Sequence, residues 1–338
     1  METVRWFGDA AGRRGDAEFF CLCMAPAVDA TVRLACAPRG AGEIFKDADV
    51  VETPGGKALN VARWLAWRGA RVACGGLLGE ENDRPFADEL ARFGVADRFV
   101  RVPGATRRNE AVVWPGGSFK VNRSAFPALA DRPEWRDGSF AERVLSALVP
   151  PRRTSRRRIA VLSGSLPRGC PASFYADCVR RLRAAGVLVV LDASGEAMAR
   201  GLEAGPDLVK PNAEECEALV GFAPRTPAGF RRATRRLRAK AAHAIVSDGA
   251  RGAWFDGTFV PAPCVGVVDA TAAGDTLLAE FCFRVFAAGA VPAVAARWAV
   301  AAGSAACTQP GGAPPPVALV DGLFRGLARS GGVRRSGS

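Results

Sequence analysis

Short apolar runs alternate with longer amphipathic stretches along most of the chain. The apolar runs have the length and composition of buried strands and lie at residues 19–24, 72–77, 159–162, 187–191, 208–209, 244–246 and 253–255. The amphipathic stretches predict helices at residues 58–67, 84–93, 173–185, 214–220, 230–241, 275–287 and 293–306. Strands that alternate with helices are typical of a parallel sheet covered on both faces, so the pattern predicts an α/β fold.

The two ends of the chain and one internal loop interrupt this pattern. Residues 1–17 mix charged residues with glycine and are predicted to form an N-terminal extension. Residues 327–338 are rich in glycine, serine and arginine and are predicted to form a disordered tail. Residues 150–158 run from prolines into arginines and mark the clearest internal break. Apolar stretches on both sides of Pro115-Gly116-Gly117 predict a hairpin.

The charge balance of the chain is basic, with 46 basic and 34 acidic residues and a net charge of +12. A basic surface favours anionic ligands, which range from small phosphorylated molecules to nucleic acids. A compositional bias toward solvated surface arginines is the simpler explanation of the excess. No basic stripe interleaved with aromatic residues is present, so the sequence does not favour nucleic acid as a partner.

The ten cysteines do not form a disulfide or zinc framework. None stands in a Cys-x-x-Cys pair, and His243 is the one histidine of the sequence. We therefore expect reduced thiols, which favours a cytoplasmic location. The longest apolar helix contains Glu280 and Arg284, and neither a secretion signal nor a membrane span is predicted.

The loop at residues 269–275 is the first candidate site. Small side chains lead into a long apolar helix there, and small residues let a ligand approach the backbone closely. A helix N-terminus presents free N–H groups and a positive dipole end, which suit a phosphate. Asp275 in the first turn would stay ionised and could accept a proton. The alternative is an ordinary helix start with an acidic first turn.

Four further loops lie at predicted strand ends or helix starts. Gly55-Gly56-Lys57 precedes a helix, and its lysine is a compact cation suited to an anion or to a plain surface position. Lys210-Pro211-Asn212 follows a strand, where ligands of parallel sheets bind, although Asn212 also suits a helix cap. Ser163-Gly164-Ser165 and the loop from Ser247 to Gly252 follow strands too. Each loop is a weak indication singly, and five together favour a binding site.

Several of these motifs resemble those of the PfkB (ribokinase-like) sugar kinases. Gly55-Gly56-Lys57-Ala58-Leu59-Asn60-Val61-Ala62-Arg63 resembles the N-terminal signature of that family, and residues 269–275 resemble its C-terminal signature. Ala25-Pro26-Ala27-Val28-Asp29 and Thr106-Arg107-Arg108-Asn109 look like the hexose-phosphate branch, which includes 1-phosphofructokinase and tagatose-6-phosphate kinase. The likeness covers residues 18–326. It implies a three-layer α/β/α domain with a small β-sheet lid, whose strands would lie within residues 29–51 and 107–122.

The resemblance also implies a role for individual residues. Asp275 would be the catalytic base, and the amides of Ala272, Ala273 and Gly274 would hold the transferring phosphoryl group. The sugar would be bound by Asp29, Gly55, Gly56, Lys57, Asn60 and Asn109, and its existing phosphate by Arg107. ATP would be bound by Lys210, Asn212, Ser247, Gly249, Gly252, Thr271 and Gly303. Mg²⁺ would bridge the ATP phosphates, with Glu215 and Asn212 acting mainly through water.

The function that the resemblance implies is ATP-dependent phosphorylation of a phosphorylated hexose, either fructose 1-phosphate, fructose 6-phosphate or tagatose 6-phosphate. Ala111 and Arg123 depart from the hexose-phosphate branch, which often has a lysine and an acidic residue there. A ribokinase- or nucleoside-type kinase is therefore one alternative, and a non-catalytic sugar-phosphate or polyanion-binding protein is another. The resemblance also points to a homodimer through the lid, because the lid edges of this family often pair between subunits.

Overall fold

A computed structural model of the chain describes residues 17–40, 42–46, 48–124, 126, 139–151 and 155–330. The strands of the described residues are β1 (Ala17–Cys23), β2 (Ala27–Arg33), β3 (Asp49–Gly55), β4 (Arg71–Gly79), β5 (Ala96–Val102), β6 (Arg108–Trp114), β7 (Gly117–Val121), β8 (Arg157–Ser163), β9 (Leu188–Asp192), β10 (Leu208–Val209), β11 (His243–Ser247), β12 (Gly252–Phe255) and β13 (Thr258–Pro261). The helices are α1 (Lys57–Trp67), α2 (Arg84–Phe93), α3 (Ser139–Leu148), α4 (Phe174–Ala184), α5 (Gly195–Glu203), α6 (Ala213–Val220), α7 (Pro227–Arg238), α8 (Ala273–Cys282), α9 (Pro292–Ala306) and α10 (Val317–Ser330). No described helix is long and apolar enough to cross a lipid bilayer.

The main sheet has nine strands in the order β13-β12-β11-β10-β9-β8-β1-β4-β5. Its strands are parallel from β11 to β5, and β12 and β13 extend it as an antiparallel edge. Because β1 lies between β4 and β8, the chain reverses its direction of progress across the sheet at β1. In open parallel sheets, ligands bind outside the carboxyl ends of the strands at such a reversal.

Helices cover both faces of this sheet. Successive residues of a strand point to opposite faces, so Phe19 and Cys21 join one core cluster while Phe20 and Leu22 join the other. The first cluster contains residues of α1, α2, α8, α9 and α10, and the second contains residues of α3 to α7. The result is the three-layer α/β/α arrangement that the resemblance implied.

A second sheet of four strands has the order β3-β2-β6-β7. In this sheet β2 pairs with β3 antiparallel and with β6 parallel, while β6 and β7 form the hairpin expected around Pro115-Gly116-Gly117. The chain enters the sheet directly from β1 and leaves it directly into α1. The small sheet is therefore connected at its base to the strand and the helix that border the carboxyl edge of the main sheet.

Some boundaries differ from the sequence prediction. β8 begins at Arg157, inside the predicted loop, because the guanidinium groups of Arg157 and Arg158 cover Phe286 and Phe20 at 5.8 and 5.5 Å. The last helix runs to Ser330, so residues 327–330 of the predicted tail are helical. The pattern also did not identify β5, α3, β13 and α10. Apart from Ala17, which begins β1, the predicted N-terminal extension lies outside the described residues, as do residues 331–338.

One buried carboxylate joins α1 to α8. Glu280 is fully buried on α8 and accepts hydrogen bonds from the Trp64 indole (2.8 Å) and from Arg284 (2.8 Å). The Nε atom of Arg68, at the end of α1, lies 3.3 Å from the same carboxylate. A buried charge is costly unless it is paired and hydrogen-bonded, so these contacts hold the two helices in one relative position.

We expect Glu280→Gln to lower the free energy of unfolding by roughly 3 kcal/mol, because it leaves two arginines without their carboxylate in a largely buried site. Urea denaturation monitored by tryptophan fluorescence measures this. The matched control is Glu196→Gln, which removes a carboxylate from an exposed pair with Arg200 and should cost at most about 0.5 kcal/mol. Equal losses in the two variants would contradict the role given to Glu280.

Candidate active site

A cleft of about 550 Å³ lies at the carboxyl edge of the main sheet, beneath the small sheet. Its wall includes the ends of β1, β8 and β11, the loop after β10 and the start of α8. The lining residues are Cys23, Ala25, Ala27, Asp29, Gly56, Lys57, Asn60, Arg107, Asn109, Ser163, Gly164, Ser165, Ser194, Lys210, Asn212, Glu215, Ser247, Thr271, Ala272, Gly274 and Asp275. The cleft therefore brings together residues from all five of the loops that the sequence singled out.

Asp275 lies in the first turn of α8 with its side chain almost entirely buried. Its Oδ2 atom accepts a hydrogen bond of 2.7 Å from Nδ2 of Asn60 on α1. Burial and the nearby carboxylate of Asp192 raise the pKa of Asp275 to about 6, although Asn60 and two lysines act in the opposite direction. A carboxylate with this pKa is deprotonated at neutral pH and is more basic than an ordinary aspartate.

The start of α8 presents backbone N–H groups beside Asp275. Ala272 adopts a left-handed conformation (φ 61°), which turns the chain into the helix. The N–H of Ala273 donates to the carbonyl of Ala270 at 3.3 Å. Within the described part of the chain, the amides of Ala272 and Gly274 donate to no other group, and both residues line the cleft. These two amides are thus available to an anion at the positive end of the helix.

Two lysines extend from opposite sides toward one buried carboxylate. Asp192, at the end of β9, is fully buried, and its Oδ1 atom lies 3.2 Å from Nζ of Lys210 and 3.7 Å from Nζ of Lys57. Ser163 Oγ lies 3.4 Å from its other oxygen. The attraction to Asp192 is the main reason that the pKa of Lys57 is raised. Asp192 therefore keeps two ammonium groups next to each other in the cleft, where they can meet a polyphosphate.

Asn212 and Glu215 form a reciprocal cap at the start of α6. The Asn212 side chain accepts from the N–H of Glu215 (2.7 Å), and the Glu215 carboxylate accepts from the N–H of Asn212 (2.9 Å). This is the capping box of a helix N-terminus, so the structural alternative for Asn212 holds. Both side chains also line the cleft, and one oxygen of Glu215 takes no part in the cap.

The base of the small sheet forms the opposite wall of the cleft. Asn109 on β6 donates a hydrogen bond of 2.9 Å to Asp29 on β2. Burial raises the pKa of Asp29, against the effects of that hydrogen bond and of the Arg107 charge. At Gly55 a Cβ atom would lie 1.8 Å from the Asp29 carboxylate, and at Gly56 (φ 135°) it would lie 2.7 Å from Cys23 Sγ. Both glycines are therefore required by close approach.

Arg107 spans the junction between the two sheets. Its guanidinium donates to the backbone carbonyls of Pro26 (3.3 Å), Ala25 (3.0 Å) and Arg123 (2.8 Å). These bonds use several of its five N–H groups, and burial lowers its pKa. Arg107 thus holds the base of the small sheet in addition to lining the cleft.

Five of the residues that the sequence singled out do not line the cleft: Gly55, Ala273, Gly249, Gly252 and Gly303. Gly303 is buried where α9 crosses the start of α8, and a Cβ there would lie 3.0 Å from the Ala273 carbonyl. Gly252 (φ 133°) is at a tight turn, where a Cβ would lie 2.1 Å from the Val260 carbonyl. These contacts give both glycines a structural role, and their contact with a nucleotide stays a prediction.

The family model described as "pfkB family carbohydrate kinase" matches residues 22–318. The chain belongs to this family. Among curated proteins, the 1-phosphofructokinase of Haemophilus influenzae is 35% identical over 244 residues, which are 69% of this chain and 75% of that protein. The 1-phosphofructokinase of Rhodobacter capsulatus is 37% identical over 233 residues, which are 67% of this chain and 71% of that protein.

Solved structures show the same relationship. The tetrameric inhibited form of phosphofructokinase-2 from Escherichia coli is 26% identical with a TM-score of 0.79, over 94% of this chain and 100% of that one. Ribokinase from Thermotoga maritima is 19% identical with a TM-score of 0.67, over 93% and 100%, and shows the shared fold. The family and fold that the resemblance implied are confirmed, and the chain is a phosphotransferase rather than a non-catalytic binding protein. Sugar kinases of this family use ATP as the phosphoryl donor.

Sequence reasoning missed three residues of this kinase that lie near the cleft without lining it. No role was assigned to Asp192, although an aspartate at the end of a buried strand is a recognisable signal. Arg63 lies behind Asn60 and has no signal in the sequence beyond its place in the N-terminal signature. Lys120 is on β7, directly opposite Ala111 in the hairpin, so its proximity depends on a register that the sequence does not fix.

We expect the activity of this kinase to fall as the pH drops through about 6, because at that pH Asp275 loses the negative charge that its predicted role as the base requires. Turnover at saturating substrates, measured between pH 4.5 and 8.5, should show an acidic limb near that value. Asp275→Asn should lower kcat by roughly 10²–10⁴-fold and remove the limb. An acidic limb that persists unchanged in Asp275→Asn would assign it to another group.

Proposed function

We propose that this kinase transfers the γ-phosphoryl group of ATP to a hydroxyl of a phosphorylated hexose, with fructose 1-phosphate as the first candidate. The observation that carries the proposal is the arrangement around Asp275: a buried carboxylate beside two free amides and two lysines. The curated relatives named 1-phosphofructokinase support the choice of sugar. Fructose 6-phosphate and tagatose 6-phosphate are the next candidates.

In this mechanism, Asp275 accepts the proton of the attacking hydroxyl through the oxygen that Asn60 does not bind. The hydroxyl oxygen forms a bond to the γ-phosphorus as the bond from that phosphorus to the β–γ bridging oxygen of ATP breaks, and ADP leaves. The amides of Ala272 and Gly274 stabilise the charge on the transferring group at the helix start. Ala273 contributes less than the sequence suggested, because its N–H already has an acceptor.

The sugar would lie against the base of the small sheet. The paired side chains of Asp29 and Asn109 offer an acceptor and a donor to sugar hydroxyls, and Gly56 lines the cleft together with them. ATP would lie along the loops that contain Lys210, Asn212, Ser247 and Thr271, with Gly249, Gly252 and Gly303 near its base. Lys57 and Lys210 would meet the phosphates between the two substrates.

Magnesium is part of this proposal, and the donor set fits it. Mg²⁺ is usually held by one or two carboxylates together with substrate phosphates and water. Glu215 has a carboxylate oxygen outside its helix cap, on the cleft wall. Within the described residues, no cluster of three or more histidine, cysteine or acidic ligands is present, so the ATP phosphates would supply most of the coordination. The bound ion would neutralise phosphate charge.

We further propose that two copies associate through the small sheet. Its outer strands β3 and β7 expose Val50, Phe119 and Val121 at 47, 50 and 46% of their surface. Exposed apolar side chains on edge strands are typical of surfaces that pair with another chain.

The ten thiols, of which six are buried, fit the cytoplasmic location expected from the sequence.

A substrate panel tests the class of acceptor. We expect ADP release, measured with a coupled assay, to be fastest with fructose 1-phosphate among sugars, nucleosides and sugar phosphates. Arg107→Ala should raise KM for the sugar phosphate selectively, by about tenfold or more, because a charge-assisted contact is lost. Activity confined to unphosphorylated sugars or nucleosides would instead support the ribokinase-type alternative.

Lys120 is a second candidate for contact with the phosphate of the sugar. Ala111 and Lys120 are directly opposed partners of the β6–β7 pair, so their side chains share one face. Asn109 lies two residues before Ala111 on the same face of β6 and lines the cleft. The Lys120 ammonium attracts the carboxylates of Asp29 and Asp269. Lys120 can therefore supply the positive charge that Ala111 lacks.

We expect Lys120→Ala to raise KM for the sugar phosphate about tenfold while KM for ATP changes little. The double variant Ala111→Lys/Lys120→Ala should recover most of the affinity, because the ammonium returns to the same face of the sheet from the opposing strand. The control is Lys240→Ala, which removes the same charge from a residue that pairs with Glu203 before β11, away from the cleft. If the two single variants behave alike, Lys120 does not contact the substrate.

A further inference from the structure

Arg63 is a buried guanidinium on α1, directly behind the cleft wall. It is 5% exposed, and its Nη2 atom donates both to Oδ1 of Asn60 (2.9 Å) and to the carbonyl of Pro54 on β3 (2.7 Å). Its Nη1 atom lies 3.4 Å from Glu89 on α2. Arg63 therefore connects two helices, the small sheet and the residue that holds the catalytic aspartate.

The contact with Arg63 determines which way the Asn60 amide faces. Asn60 has a donor end and an acceptor end, and the structure pairs the acceptor with a cation and the donor with Asp275. The reversed amide would direct its oxygen at a carboxylate and its NH₂ group at a guanidinium, and both contacts would be repulsive. One orientation of Asn60 is thus enforced, and in it Asp275 receives a hydrogen bond.

We propose that Arg63 is a positioning residue for the phosphoryl transfer, which acts through Asn60 to fix the orientation and the ionised form of Asp275. It does not touch the substrates. The inference rests on the proposed role of Asp275 as base. Arg63 also donates to the carbonyl of Pro54, one residue before Gly55-Gly56. The same guanidinium therefore connects the orientation of the Asp275 carboxylate to the end of β3 in the small sheet.

The charged groups around Asp275 make the Asn60 bond important. Asp192 on β9 disfavours the ionised form of Asp275, while Lys57 and Lys210 favour it. The Asn60 hydrogen bond also favours the ionised form. When Arg63 is altered, Asn60 loses the contact that fixes its amide, and the bond to Asp275 weakens. The pKa of Asp275 then rises, so a smaller fraction of the enzyme is ionised at neutral pH.

The first test compares Arg63→Lys with the wild type on any sugar phosphate that the wild type phosphorylates. A lysine at this position keeps the charge but cannot donate in the same directions as the planar guanidinium. We expect kcat at pH 7 to fall about 10-fold or more, the acidic limb of kcat to move to higher pH, and KM for ATP to change little. A limb that stays in place in a folded Arg63→Lys variant overturns the inference.

Two matched variants separate positioning from stability. Arg68→Lys alters another largely buried arginine, directly after α1, which pairs with Glu280 instead of Asn60. Glu89→Gln removes the carboxylate partner of Arg63 but leaves the bonds to Asn60 and Pro54. Both should lower the melting temperature without moving the acidic limb. A limb shift in Arg68→Lys as large as that in Arg63→Lys would show that the effect is a general loosening of α1.

A double-mutant cycle tests whether Arg63 acts through Asn60. Asn60→Ala removes the amide, and Arg63→Lys added to it should then change neither kcat nor the pH limb further. Additive effects of the two changes would contradict the proposal. If Arg63→Lys does not fold, Asn60→Ala alone removes the amide through which Arg63 acts, and its acidic limb should move upward. An unmoved limb in that variant also overturns the inference.

Failure of the proposed function and failure of the positioning role of Arg63 would give different experimental results. If the wild type turned over no sugar phosphate, the proposed function would fail before any variant was compared. If the wild type were active with an acidic limb near pH 6 and Arg63→Lys retained that limb, only the positioning role would fail. The substrate panel should therefore precede the variants.

Discussion

The carboxylate of Asp275 is withdrawn from water and still has to carry a negative charge. Burial and the neighbouring Asp192 both oppose that charge, and they leave Asp275 with a pKa of about 6. The opposing contributions come from Asn60 and from the two lysines that Asp192 itself holds in place. Asp192 thus has two effects: it raises the basicity of Asp275 directly, and it keeps near it the cations that prevent complete protonation.

This balance depends on elements that are far apart in the sequence. Asn60 and Lys57 are on α1, Asp275 is on α8, and Lys210 follows β10. The α1–α8 contact is fixed by Glu280, five residues after Asp275, which binds Trp64 and Arg68 of α1. A displacement between these helices would separate Asn60 from Asp275. The Glu280–Arg68 ion pair therefore helps to keep the Asn60–Asp275 hydrogen bond in place.

The sequence predicted most strands of the main sheet and most of the helices around it. The spacing of apolar residues is regular where an element is buried on one or both faces. The helix at residues 84–93 was predicted with its observed ends, since Gly94 supplies the left-handed residue that ends it. The sequence did not predict β5 or α3, although α3 is amphipathic and buries Phe140, Val144 and Leu148 along one face. It could not predict Arg63 and Lys120 as site residues, because their positions follow from helix packing and strand register. These features depend on tertiary contacts.

The small sheet shows how a site can keep its chemistry when individual residues change. Ala111 lacks the charge common at this position in the hexose-phosphate branch, yet a lysine stands directly across the ladder on the same face. Ala272 takes a left-handed conformation that costs an alanine about 1 kcal/mol, and the residue still lines the cleft. On the proposed function, the charge and the N–H group are kept while the residues that supply them vary. The choice of sugar phosphate would then depend on the cations around the cleft more than on any one motif.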